Sequence, residues 1–258
     1  MRLSAVVFFM SMLTILNAQQ NGEYIPLVYS DGEGGVLNYN ILYPKDFDDS
    51  GSKKYPLMLF LHGAGERGSD NEAQLIHGAQ VFKDSLEKYP AVVIFPQCPK
   101  DSYWVDLRSE GTGQGRNMKI MTEQGPNPAL RMVMELINQT LDQSYIDKDR
   151  FYVAGLSMGG MGTIELGWRM SDQIAAAIAI CGAGPSDKAT EMADVPFWFI
   201  HGVDDNVVPS RYSLMMLRAM QVNGGKARIT LYPETGHNSW DKAFADPEFF
   251  SWMFDKRR

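Results

Sequence analysis

The chain has 258 residues, 45% of them hydrophobic and 21% charged, with a formal net charge of −7. That length is ample for one large α/β core and short for two. The acidic balance, with no Lys/Arg cluster of the nucleic-acid type, makes DNA, RNA and anionic membrane surfaces poor partners.

Met1-Arg2, an apolar stretch from Ala5 to Leu16 and a small residue at Ala18 have the length and flanks of a secretory signal peptide. The stretch is too short to be a membrane span, so no stable membrane insertion is expected. Residues 1–18 are therefore expected to direct export, to the periplasm or beyond the cell, and residues 19–258 to form a single domain. Apolar runs then lie at 25–29, 36–43, 55–61, 91–95, 151–156, 174–181, 196–201 and 228–232. Most of those after residue 55 are separated by helix-length segments. Near-continuous apolar strands alternating with helices predict a mostly parallel, eight-stranded α/β sheet with helices on both faces. The first two runs are closer together and more alternating, as an antiparallel edge is. A helix is predicted over 72–86, carrying His77. From Gln97 to Pro128 runs a long loop with no predicted structure, a feature that is often functional.

Chemistry gathers at the strand exits. The 55–61 run ends in His62-Gly63-Ala64-Gly65-Glu66-Arg67-Gly68, with Glu66 and Arg67 placed to pair and stiffen the turn. The 151–156 run enters Gly155-Leu156-Ser157-Met158-Gly159 and a helix follows. A strand-to-helix turn of this kind lifts a serine hydroxyl above the sheet edge, and its glycines leave room where a Cβ would collide with its neighbours. The 196–201 run ends in His201-Gly202-Val203-Asp204-Asp205, and the 228–232 run leads to Thr235-Gly236-His237. Serine, carboxylate and histidine in that order suit nucleophilic catalysis. The imidazole takes the serine proton, and the carboxylate fixes the imidazole tautomer and stabilises the imidazolium. Either Asp204 or Asp205 can supply that carboxylate. The glycine-rich turn and the residue after the serine supply backbone N–H donors to an oxyanion, here Ala64 and Met158. Such donors contribute about 3–4 kcal/mol each to the barrier. In the long loop, Tyr103 and Trp104 are candidates to stack on a sugar or phenolic ring, although Trp104 also suits an anchor beneath the loop. Trp240, three residues past His237, is expected to wedge the last helix against the core. No metal is expected, since no Cys/His/Asp cluster has metal-ligand spacing, and no cofactor is implied.

Taken together, Leu61-His62-Gly63-Ala64-Gly65-Glu66-Arg67-Gly68, Pro96-Gln97-Cys98-Pro99, Gly155-Leu156-Ser157-Met158-Gly159-Gly160, Ile180-Cys181-Gly182, His201-Gly202 with Asp205, and Gly236-His237 resemble the phospholipase/carboxylesterase-like branch of the α/β-hydrolases. That branch includes predicted peptidases of prolyl-oligopeptidase-like type. Feruloyl and acetylxylan esterases and dienelactone hydrolases are its relatives. The likeness covers roughly residues 25 to 254. It departs from the dienelactone hydrolases, which use cysteine where this chain has Ser157. The resemblance implies Asp205, rather than Asp204, as the acid, from the His-Gly-x-x-Asp spacing. The family's strand order would put Cys98 and Cys181 three strands apart, roughly 14 Å, beyond the ~7 Å a disulfide spans. Two buried free thiols are therefore expected. Lipases of this fold insert a helical lid before the next-to-last strand, and the 182–195 segment is too short for a large lid domain. The implied function is an exported serine carboxylesterase acting on small acyl esters, including acetyl or feruloyl esters attached to plant polysaccharides. The rival readings are a serine peptidase of prolyl-oligopeptidase-like type and a non-catalytic binding protein on the same fold. The sequence leaves the oligomeric state open.

Overall fold

All eight apolar runs form strands, and an unpredicted hairpin joins them. The computed structural model describes residues 22–258, so the expected signal peptide lies outside the described residues. In chain order the strands are β1 (Tyr24–Ser30), β2 (Val36–Leu42), β3 (Tyr55–Leu61), β4 (Val92–Gln97), β5 (Leu107–Glu110), β6 (Asn117–Ile120), β7 (Ile146–Leu156), β8 (Ile174–Ile180), β9 (Phe197–Gly202) and β10 (Ala227–Tyr232). Eight of them make one sheet in the order β1-β2-β4-β3-β7-β8-β9-β10. Pairing is antiparallel from β1 to β2 and from β2 to β4, and parallel across the rest.

The helices are α1 (Ala79–Ser85), α2 (Pro128–Leu141), α3 (Met158–Arg169), α4 (Arg211–Val222), α5 (Trp240–Ala245) and α6 (Glu248–Phe254). Both faces of the sheet are covered, which is why its central strands read as unbroken apolar runs. Along β7, Phe151 and Val153 pack into a core shared with α2, α3 and α4. The alternate residues Tyr152, Ala154 and Leu156 pack into a second core shared with α1, α5 and α6. The start of α2 shows local specification: Asn127 caps it by accepting from the Leu130 N–H at 3.0 Å, and Pro128 occupies the first turn, where its missing N–H costs nothing.

Two expectations need correction. The helix predicted over 72–86 is broken: a 3₁₀ turn covers Ala73–Leu75 and α1 begins only after Gly78, whose φ of 86° lies in the left-handed region. His77 therefore sits in the break. The 97–128 segment also has structure of its own, since β5 and β6 pair antiparallel around a 3₁₀ turn at Gly113–Gly115. By contrast, the 181–196 connection carries only a 3₁₀ turn at Ser186–Lys188. Cys98 and Cys181 are both free and buried, with β3 and β7 lying between their strands. Among the described residues, no helix is long and apolar enough to cross a membrane.

Candidate active site

The turn from β7 into α3 sets the serine. Ser157 has φ 54° and ψ −115°, a conformation L-residues rarely hold, and such strain costs about 1–3 kcal/mol. Two close approaches keep it there. A Cβ on Gly159 would overlap the Leu61 carbonyl oxygen, and one on Gly155 would overlap the Gly159 carbonyl oxygen. The Ser157 N–H donates to the Ile180 carbonyl at 2.9 Å, tying the turn to β8.

His237 and Asp205 arrive from the exits of β10 and β9. Ser157 Oγ lies 2.8 Å from His237 Nε2, and His237 Nδ1 lies 2.7 Å from Asp205 Oδ2. The carboxylate accepts at Nδ1–H, which leaves Nε2 free to take the serine proton. Asp205 Oδ1 accepts from the N–H groups of Val207 and Val208 at 2.8 and 2.9 Å. His201 Nε2 adds a donor 3.2 Å from Oδ2 and shares its proton with the Val208 carbonyl at 2.8 Å. Burial works to raise the Asp205 carboxyl pKa. The hydrogen bonds from His201, His237 and Val208 and the charge of His237 outweigh it, holding the group well below the usual carboxylate range. Asp204 is exposed, and its backbone N–H donates to Thr235 O at 2.9 Å.

Ala64 opens the 3₁₀ turn Ala64–Glu66 and Met158 is the first residue of α3. Backbone N–H groups at the start of a helical turn have no partner within it, and both residues are near Ser157: Ala64 lines the same cleft as the serine, and Met158 follows it in the chain. His62 anchors the first of these turns. Its Nδ1–H donates to the Gly63 carbonyl at 2.6 Å, and its Nε2 accepts from the Cys98 N–H at 2.9 Å. This joins the exit of β3 to the exit of β4. Burial, the largest influence, holds the His62 pKa down at about 4, against an ordinary value of 6.5. The native state therefore refuses a proton that the unfolded chain accepts. Its contribution to stability is complete above about pH 6.5 and is lost as pH falls toward 4, by about 3 kcal/mol in all. Urea unfolding of His62→Gln should show lower stability than the parent at pH 7 and a smaller fall between pH 7 and 4.5. Parallel falls in the two proteins would sink this account.

The long loop lines the cleft with one of its two adjacent aromatic residues and buries the other. Tyr103 lies on the cleft wall, with the Arg67 guanidinium 5.5 Å from its ring centre. Trp104 is not a stacking residue: it is fully buried, packs against the His62 ring and donates from Nε1 to the His62 carbonyl at 3.1 Å. The expected Glu66–Arg67 pair does not form. Arg67 turns to the Ala64 and Ser102 carbonyls, both at 2.9 Å, and Glu66 faces His77 at 3.8 Å. Trp240 stands edge-on to His237, with ring centres 5.6 Å apart, and forms cleft wall as well as starting α5.

Sequence reasoning missed the strap. The β5–β6 hairpin is tied to the Asp205 loop by Gln114 Nε2 on the Asp205 carbonyl at 2.7 Å and by Arg116 Nη1 on the Val207 carbonyl at 2.9 Å. Arg211, at the start of α4, donates to the carbonyls of Gln114 and Arg116. These are backbone and side-chain contacts between segments some 90 residues apart, which no local pattern signals. The resulting cleft has a volume of about 350 Å³, within the range of small-molecule sites, and Ser157 and His237 lie on its wall. Among the described residues, Cys181, Asp205 and His237 bring metal-type ligand atoms within 4.8 Å of one another. Both His237 nitrogens are already engaged, and burial and the Asp205 charge keep the Cys181 thiol protonated, so the group does not fit a metal.

A family model described as phospholipase/carboxylesterase matches residues 48–250. The crystal structure of a thermostable esterase is 33% identical with a TM-score of 0.81, over 93% of this chain and 64% of that one. A bifunctional acetylxylan esterase/xylanase of Neocallimastix patriciarum is 29% identical over 59% of this chain and 20% of its own length. A dipeptidyl-peptidase 5 of Porphyromonas gingivalis is 22% identical over 86% of this chain and 36% of its own. The chain thus spans about a third or less of these two relatives.

Proposed function

Because the chain belongs to the phospholipase/carboxylesterase family, we propose that it is an exported serine carboxylesterase, with residues 19–258 as one catalytic domain. The observation that carries this reading is the continuous Ser157–His237–Asp205 hydrogen-bond chain, at 2.8 and 2.7 Å, on the wall of a cleft. Ser157 Oγ attacks the ester carbonyl while His237 Nε2 takes its proton. The developing oxyanion is met by the Ala64 and Met158 N–H groups. The imidazolium then passes its proton to the leaving alcohol oxygen, and the C–O bond breaks. A water deprotonated by His237 attacks the acyl-serine, and the acid leaves as Ser157 regains its proton. Export rests on the character of residues 1–18.

Small acyl esters are the substrate class we favour, with acetyl or feruloyl groups on plant polysaccharides as the specific form. The acetylxylan esterase relative and Tyr103 on the cleft wall support it. The peptidase reading draws on the dipeptidyl-peptidase relative, since the same chemistry cleaves amides. A panel of p-nitrophenyl acyl esters, methyl ferulate, acetylated xylan and peptide p-nitroanilides separates the two. Turnover of the anilides alone would overturn the esterase assignment, and no turnover of any member would favour a binding protein.

Acyl length gives a further check. The 181–196 connection carries one short turn, and the β5–β6 hairpin is tied down by Gln114, Arg116 and Arg211. A long acyl chain would leave much of its surface in water, gaining none of the roughly 25 cal/mol per Å² available on burial. Short or compact acyl groups should therefore be preferred, with no jump in rate as a short-chain ester passes its solubility limit. Interfacial activation on long-chain emulsions would mean that the hairpin opens as a lid, and the polysaccharide-ester reading would fall.

A further inference from the structure

We propose that Glu66 selects the leaving alcohol, its carboxylate accepting a hydrogen bond from a free hydroxyl close to the ester, as a sugar or other polyol provides. The inference rests on the esterase reading above and adds to it the residue that recognises the alcohol.

Glu66 closes the 3₁₀ turn that carries Ala64, and its side chain is only 12% exposed. Oε2 is buried and has no hydrogen-bond partner. The obvious cation, Arg67, is committed to two carbonyls. His77 Nε2 lies 3.8 Å from Oε1, beyond hydrogen-bond range. Oε2 is closed to an arriving substrate, so the hydroxyl meets the carboxylate at Oε1, and a donor there lessens the cost of a carboxylate held without donors. Its position suits this. A Cβ placed on Gly63 would meet Glu66 Oε2 at 3.0 Å and the Ser157 Cβ at 3.7 Å, so the carboxylate flanks the nucleophile.

The side of the cleft follows from proton transfer. The leaving oxygen must receive its proton from His237 Nε2, so the alcohol occupies the wall next to His237. That wall runs from His237 to Trp240, from Trp240 to His77 with ring centres 5.3 Å apart, and from His77 to Glu66. A hydroxyl one or two carbons beyond the ester oxygen stays close to Ser157, which the Glu66 carboxylate flanks. An unsubstituted alkyl alcohol presents no donor and leaves the carboxylate unpaired.

The test compares kcat/KM for ethyl butyrate, 2-hydroxyethyl butyrate and ethyl 3-hydroxybutyrate in the parent enzyme, Glu66→Leu and Glu66→Gln, with thermal melts to confirm folding. The parent should prefer the hydroxyethyl over the ethyl ester by about tenfold or more, the scale of a hydrogen bond to a charged acceptor. In Glu66→Leu that ratio should fall toward one, with Glu66→Gln between, while the preference for or against the acyl-side hydroxyl stays put. If Glu66→Leu does not fold, the shift in Glu66→Gln decides. A parent ratio near one, a ratio unmoved in the folded variants, or an effect that follows the acyl-side hydroxyl overturns the proposal and leaves the esterase reading standing. Failure of the parent to hydrolyse any of the three esters, with peptide anilides cleaved, overturns both.

Discussion

Ser157→Ala should abolish ester turnover, by about 10⁶ in kcat on the scale of serine-triad enzymes, without unfolding the protein. The Ser157 side chain caps no helix N–H, and among the described residues its hydroxyl bonds only to His237, so little stability depends on it. A fluorophosphonate probe should label the parent and leave the variant unlabelled. The backbone offers a second readout. Alanine at φ 54° keeps the strain, whereas Ser157→Gly releases it. The glycine variant should be as inactive as the alanine one yet melt higher. Labelling of the alanine variant, or residual burst-phase acylation, would remove Ser157 from its role. A glycine variant less stable than the alanine one would show that the turn is not strained.

What was legible in the sequence follows from what is local. The central strands of the sheet stand out because burial on both faces leaves them apolar, as in β3, where all seven residues are buried, whereas β1 alternates as a half-exposed edge strand does. Ser157, Asp205 and His237 are legible because Ser157 follows β7 at once and the other two stand within a few residues of the ends of β9 and β10, and a strand exit fixes where the next few residues can go. The misses share a different cause. Leu107–Glu110 is a four-residue strand with no buried residue, and Asn117–Ile120 alternates, with Met118 and Ile120 buried, over too few residues to stand out. Trp104 and Tyr103 are adjacent in the chain, and only the position of the His62 carbonyl decides that the first turns inward. His62 and His201 read as parts of a motif, but their work is to hold other groups. One braces the turn after β3 against Cys98, and the other braces Asp205 against Val208.

The same distinction explains why Glu66 reads wrongly from sequence. Neighbouring opposite charges suggest a pair, yet Arg67 has better acceptors in the carbonyls of Ala64 and Ser102. A guanidinium that braces a loop through carbonyls leaves its neighbour's carboxylate to face the cleft. The turn thus gains rigidity from one residue of the pair and a polar cleft wall from the other.

Asp205→Asn should cost about 10⁴ in kcat, as expected when an imidazole loses the acceptor that fixes its tautomer, while Asp204→Asn changes turnover less than about threefold. The geometry separates these adjacent residues. Oδ2 of Asp205 takes the Nδ1–H of His237 at 2.7 Å and faces the Nε2–H of His201 at 3.2 Å, so that oxygen must be an acceptor twice over. Oδ1 is likewise bound by the N–H groups of Val207 and Val208. An asparagine amide has only one oxygen. With that oxygen on the Val207 and Val208 donors, its NH₂ points at two ring N–H groups. His237 must then flip or change tautomer, and its nitrogen facing Ser157 becomes a donor that cannot take the serine proton. Stability should move as well. The Asp205 pKa is depressed in the native state, so its contribution is full above the usual carboxylate range and is lost as pH falls through that range and below it. Asp205→Asn should therefore be less stable than the parent at neutral pH, with the gap narrowing in acid. Asp204, exposed and bonded only through its backbone, should show neither effect. Initial-rate kinetics and urea unfolding of the two variants at pH 7 and pH 3.5 settle the matter. Equal, modest losses from both would deny Asp205 its place behind His237, and a larger loss at Asp204 would transfer that place to its neighbour.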